Sequence, residues 1–330
     1  MKNRRTILKI AMGLVALLLA APAFAQSDKP IPVVATFSIL GDMVKRIGGA
    51  HVSVTTLVGP DGDAHVFQPT PDDARAVSKA ELLFVNGLNF EGWIDRLVEA
   101  SGFNGMRVVT TRGINAIAFE DGHDEDHKDD HGKEARHKDH ADDKHGDEHA
   151  GHDHGVFDPH AWQNLENAVT YVDNITAALA KVDPARAAAF YGNRAAYVAE
   201  IKSLDTDIRA MMAKLPKSKR TVVTSHDAFG YFAVSYGLAF EAPQGLSTDS
   251  EPSAADVAKM ILQIRKEGIS AVFVETITDN RLLEQIARET GVTIGGTLYS
   301  DALSGSDGPA STYLKMMRQN ATTLTKSLGS

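Results

Sequence analysis

Short β-branched runs alternate with stretches of helical periodicity, and they do so on both sides of a segment that carries no core residues. Residues 31–37, 52–58, 81–86 and 106–110 read as strands, separated by predicted helices at about 39–49, 71–80 and 91–100. After Pro216 the alternation resumes, with strands at 221–224, 270–275 and 292–298 and helices at 228–236, 253–267 and 280–290. Parallel neighbours need a crossover, so this pattern predicts helix-covered parallel sheets. Ser38 is the expected cap of the first helix, and Thr70-Pro71-Asp72-Asp73 is a helix start with Pro at the first helical position and acids in the first turn. A further helix is expected over 157–179. The stretch from Pro184 to Leu215 then places Phe190, Tyr197, Ile201, Leu204 and Ile208 at helical spacing with only Gly192 interrupting. A helix of that length would be roughly 45 Å long, more than one small domain needs. The chain is thus expected to be α/β, with two βα lobes (26–183 and 216–330) joined by one long backbone helix (184–215).

The interrupting segment, 120–155, holds nine of the chain's thirteen histidines: His123, His127, His131, His137, His140, His145, His149, His152 and His154. It has fourteen acidic against five basic side chains and nothing apolar larger than Ala. Such a segment cannot offset its ordering entropy by burial and reads as a surface insertion. Imidazoles and carboxylates together suit borderline cations, so an auxiliary metal-collecting role is expected. The alternatives are a solubilising loop or a tag. Histidine is a poor choice for solubility, and the spacing is irregular.

Residues 1–25 combine Lys2, Arg4, Arg5 and Lys9, an apolar run from Ile10 to Ala21, and Ala23-Phe24-Ala25. This is the pattern of a cleaved secretory signal peptide, and it predicts a periplasmic protein. No Cys exists in the chain, so there is no lipid attachment point, disulfide or thiolate ligand. The formal charge of −9 equals that of the 120–155 segment alone. Local acidity of this kind argues against nucleic acid as a partner and for cations.

Outside the segment only His51, His65, His160 and His226 remain. His51 reads as a surface residue. His65 follows the second strand, His160 lies in DPHAW ahead of a helix, and His226 follows TVVTS. Ligands of open α/β sheets collect beyond the carboxyl ends of strands. Asp301, after VTIGGTL, is a fourth such position. Three imidazoles and one carboxylate make a set of the kind that binds Zn(II) tetrahedrally.

The stretches ATFSILGDMVKRIGG, GDAHVFQPTP, FDPHAW, TSHDAFGYF, EPSAAD and TLYSDALS resemble, in order and over nearly all of the mature chain, the metal-specific solute-binding proteins of zinc and manganese ABC importers. The resemblance implies two (β/α)4-type lobes with the metal in the cleft between them, and no enzymatic activity. It matches His65, His160, His226 and Asp301 to the family's ligands, with Asp307 and Glu275 as the other carboxylates of that lobe. A histidine at 226 and the histidine-rich insertion point to Zn(II) over Mn(II). Some zinc members have Glu just before the first ligand; here Ala64 stands there, which favours Asp301. Asp227 and Glu251 would support the site or serve the fold, and Trp162, Phe229 and Tyr231 would wall it or pack as ordinary core aromatics. The implied partners are a membrane permease with its cytoplasmic ATPase, with a periplasmic metallochaperone as a further candidate, and the chain would act as a monomer. A metal buffer or resistance protein is the alternative. A zinc hydrolase needs an open coordination position and a base, and neither H-E-x-x-H nor G-x-S-x-G occurs. The Gly- and Ser-rich loop around Asp301 is expected to move, making Asp301 the ligand that leaves first.

Overall fold

The computed structural model describes residues 29–118, 157–269 and 271–329. Residues 1–25, read above as a signal peptide, and the nine histidines of 120–155 lie outside the described residues. The first sheet contains β1 (Ile31–Phe37), β2 (Val52–Val58), β3 (Leu82–Val85) and β4 (Met106–Val109), in the order β2-β1-β3-β4 with every pair parallel. The second contains β5 (Thr221–Val223), β6 (Ala239–Glu241), β7 (Ala271–Glu275) and β8 (Thr293–Leu298), in the order β6-β5-β7-β8, again parallel. The two sheets thus share one topology without a shared sequence. In each, the strand order reverses between the first and third strands, which opens a crevice at their carboxyl ends. β6 has only three residues, too few for a periodicity to show in the sequence.

The helices are α1 (Ser38–Gly48), α2 (Pro71–Lys79), α3 (Ile94–Ser101), α4 (Leu165–Val182), α5 (Ala187–Met212), α6 (Gly230–Tyr236), α7 (Ala254–Glu267), α8 (Arg281–Thr290) and α9 (Tyr313–Leu328). The long helix α5 buries Phe190, Tyr197, Ile201, Leu204, Ile208 and Met212 on one face. Full burial of such a side chain is worth about 2 kcal/mol, so this stripe fixes the helix in place. It packs against α1 and α4 of the first lobe and α6 and α9 of the second. One apolar core runs through both lobes, and a smaller one, including Met260, Ile264, Val272 and Leu283, fills the outer side of the second sheet.

Several local expectations are corrected. The helix expected over 157–179 begins at Leu165, because Asn164 caps it by accepting from Glu166 and Asn167 N–H; a 3-10 turn, Ala161–Gln163, precedes it. The long helix is 26 residues, entered through a 3-10 turn at Pro184–Arg186. Ser38 is no cap: it lies inside α1, and its hydroxyl accepts the Leu303 N–H at 2.9 Å. Thr70 does cap α2, in a reciprocal box with Asp73 behind Pro71. His51 is half-buried, its ring edge-on to Phe190.

Candidate metal centre

Four segments deliver side chains to one point between the sheets. His65 follows β2, His160 precedes the 3-10 turn before α4, His226 follows β5, and Asp301 follows β8. One donor atom from each lies within 4.8 Å of every other. Asp301 sits in the middle. Its Oδ2 is 3.1 Å from His65 Nε2 and 3.2 Å from His226 Nε2, and its Oδ1 is 3.6 Å from His160 Nε2. His65 and His160 Nε2 are 3.4 Å apart. All four groups are buried or nearly so.

Two of the imidazoles are aimed by carboxylates behind them. Asp158 Oδ1 lies 2.8 Å from His160 Nδ1 and accepts the His160 backbone N–H at 2.9 Å. Glu275, at the end of β7, places Oε2 2.8 Å from His226 Nδ1, while Oε1 accepts the Ser225 and His226 N–H groups. A proton kept on Nδ1 by these carboxylates assigns Nε2 as the nitrogen that ligates once its own proton is displaced, and raises ligand basicity. His65 differs: among the described residues no carboxylate meets its Nδ1, and Asp63 accepts its backbone N–H instead.

The charges are strongly coupled. Burial lowers the His160 pKa, but Asp301 and Asp158 outweigh it and push the imidazole up to about 9. Burial also opposes His226, and there Glu275 and then Asp301 hold the pKa well above the usual imidazole value. Burial would raise Asp301, yet His160 and His226 keep it well below the usual carboxylate range. Asp227, behind the centre, is pushed up to about 6 by burial and then by the charge of Asp158.

The other sequence expectations divide. Glu275 is a support of His226, while Asp307 and Glu251 are exposed and outside the cluster. Trp162 does wall the site, its ring 5.3 Å from that of His160. Phe229 does not; it stacks on Phe240 in the core. Tyr231 donates to the Asp158 carbonyl and so braces the DPH segment. Phe90, which no motif flagged, lies 4.8 Å from the His65 ring. Asn86 was also missed: its side chain donates to Pro159 O at 2.9 Å and accepts from Tyr171. Gly230, in TSHDAFGYF, has a signal in its size: a Cβ there would come within 2.6 Å of Asp158 Oδ2.

The Asp301 loop is tied by more hydrogen bonds than its composition suggests. Ser300 O accepts from Trp162 Nε1 at 2.9 Å and from Gln163 Nε2 at 2.8 Å. Leu303 donates to Ser38 Oγ, and its carbonyl accepts the Asp61 N–H at 2.8 Å. All these partners belong to the first lobe, so the peptide groups on both sides of Asp301 are tied across the cleft. Gly and Ser content was a poor guide because backbone bonds, not side-chain bulk, hold this loop.

Comparison with known proteins matches residues 33–327 to the family model of ZnuA, the zinc-uptake complex component A, periplasmic. The iron-binding protein YfeA of Yersinia pestis is 30% identical over 317 residues, covering 94% of this chain and 92% of the relative. The manganese-binding lipoprotein MntA of Bacillus subtilis is 32% identical over 311 residues, covering 92% and 91%. The solved periplasmic zinc-binding protein TroA of Treponema pallidum superposes with a TM-score of 0.78 at 27% identity, covering 91% of this chain and 99% of that one. The family consists of solute-binding transport proteins, not enzymes. The chain belongs to the ZnuA family of periplasmic metal-binding proteins that serve ABC importers.

Proposed function

We propose that this chain captures Zn(II) outside the cytoplasmic membrane, with His65, His160, His226 and Asp301 as ligands, and hands it to the permease of an ABC importer. One observation carries the reading. Zn–N bonds of 2.0–2.1 Å in a tetrahedron imply ligand–ligand edges of about 3.3–3.4 Å. Three contacts from imidazole Nε2 atoms to the two Asp301 oxygens and one between His65 and His160 run from 3.1 to 3.6 Å, and one donor atom from each residue lies within 4.8 Å of the other three, close enough for one ion to draw all four in. Four protein ligands close the shell, which suits carriage and leaves no position for an activated water. Relatives carry the names of iron, manganese and zinc, so the metal rests on the donor set. Three imidazoles favour Zn(II). The second reading, Mn(II) or Fe(II), draws on Asp301 Oδ1, which has no hydrogen-bond partner and could join Oδ2 as a bidentate ligand to a larger, harder ion.

Residues 1–25 would direct export. The relatives named lipoproteins need a lipid attachment point, and without a Cys in these 330 residues this chain offers none. The histidines of 120–155 would gather further ions more weakly, because each binding event must order the segment. Dialysis of metal-free protein against equimolar Zn(II), Mn(II) and Fe(II) tests the assignment: one tightly held Zn(II) per chain is expected. Retention of Mn(II) or Fe(II) in its place would move the assignment to the second reading. Growth of a deletion strain under chelation separates import from buffering, since loss of a buffer shows only under metal excess.

A further inference from the structure

A strap of the second lobe, residues 242–252, touches ligand-bearing loops of both halves. Its inner end is tied to His226: Gln244 pairs with His226 in a parallel bridge, and the Asp227 N–H donates to Gln244 O and Gly245 O. Its outer end crosses the cleft. The Thr248 hydroxyl donates to Asp63 Oδ2 at 2.5 Å, and the other oxygen of the same carboxylate accepts the His65 N–H at 2.9 Å. Among the described residues this is the one hydrogen bond from the strap to the first lobe. Beside it lies a cavity of about 460 Å³ lined by Asp63, Ser225, Gln244, Thr248 and Glu251. Ser225 adjoins His226, is 8% exposed, and its hydroxyl has no partner. The cavity therefore reaches the segments that carry two of the four donors.

We propose that this cavity is the cation's way in and out, and that the Thr248–Asp63 hydrogen bond is the latch that closes it. This rests on the proposed function. The latch uses no ring nitrogen and neither oxygen of Asp301. Breaking it loosens the closed form with or without a bound ion, so capture and release both accelerate while the equilibrium constant stays nearly fixed. Asp63 is here a positioning residue with two duties, and Thr248 isolates the one that spans the cleft.

The test is stopped-flow exchange of Co(II) and Zn(II) on the full chain and on Thr248→Val and Thr248→Ser. A net hydrogen bond of ordinary strength corresponds to about three- to tenfold in rate. Thr248→Val is expected to raise both kon and koff by that factor, with Kd within about threefold of the parent. The Co(II) ligand-field spectrum should be unchanged, and Thr248→Ser, which keeps the hydroxyl, should restore parent rates. Unchanged rates overturn the latch. So does a rise in koff alone with Kd rising in step, because that places the contact in ligand positioning and not in passage. Failure of the parent to bind metal at equilibrium would instead overturn the proposed function, which the same titration reads separately.

Discussion

Among the segments of the second half that hydrogen-bond to the first lobe, two loops beside the site cross differently. The segment 300–303 is buried, and its backbone is held by Trp162, Gln163, Ser38 and Asp61. The strap 242–252 lies at the rim and crosses through Thr248 alone among the described residues. Both follow strands of one sheet, and both carry Ser and Asp. Backbone hydrogen bonds buried away from water are costly to break and leave unpaired, so the first crossing acts as a hinge pin and the second as a clasp. Release is accordingly expected to begin at the strap and not at Asp301.

The largest effect should come from Asp301→Ala. It removes the carboxylate shared by three imidazoles, and weakening beyond about a hundredfold is expected, more than loss of a residue that only supports a ligand. It also strips His160 and His226 of a buried counter-charge, which should lower the stability of the metal-free protein by about 3–5 kcal/mol. Calorimetry and chemical denaturation read the two effects; parent-like affinity would remove Asp301 from the ligand set.

The carboxylates behind the imidazoles come next. Glu275→Gln and Asp158→Asn should each cost about 10–100-fold in affinity. Glu275 should cost more, since it also accepts two backbone N–H groups where Asp158 accepts one. The reverse order, by titration, would mean that the first-lobe half of the site is the more dependent on its support.

Protons compete with the metal. Asp301 and Asp158 push His160 up to about 9, and Glu275 and Asp301 raise His226 as well, which favours the protonated imidazoles in the metal-free protein. Metal must displace those protons, and affinity should rise as pH increases from about 6.5 towards 9. Stability without metal should run the other way. A folded-state pKa above the unfolded one contributes stability that is full below about 6.5 and is lost as pH rises through the folded value, about 9 for His160. Melting scans at a series of pH values, with and without Zn(II), should therefore diverge. Parallel curves would mean that the histidines are neutral before metal binds.

Much of the fold was legible. β-branched runs separated by helical periods gave the two parallel sheets, and the apolar spacing of Phe190, Tyr197 and Ile201 gave the long helix. The three histidines were legible as candidates because each sits beyond a strand or ahead of a helix. Their supports were not. Glu275 and His226 are 49 positions apart and meet only where β5 and β7 lie side by side. Ser38 sits where a cap is expected, yet its hydroxyl serves Leu303. The pinning of Asp301 depends on Trp162 and Gln163, whose side chains reach a backbone carbonyl that no local pattern reveals.

The smallest effect is expected from deleting 120–155. Its flanks are already adjacent, since Ala118 pairs with Phe157 in an antiparallel bridge, so a short join should leave the lobes undisturbed. Titration of that deletion with Zn(II), beside the same deletion carrying Asp301→Ala, is the most direct test of the four-residue centre. One tight site per chain is expected in the first and its loss in the second. A tight site that disappears with the histidine-rich segment, or that survives without Asp301, would contradict the assignment.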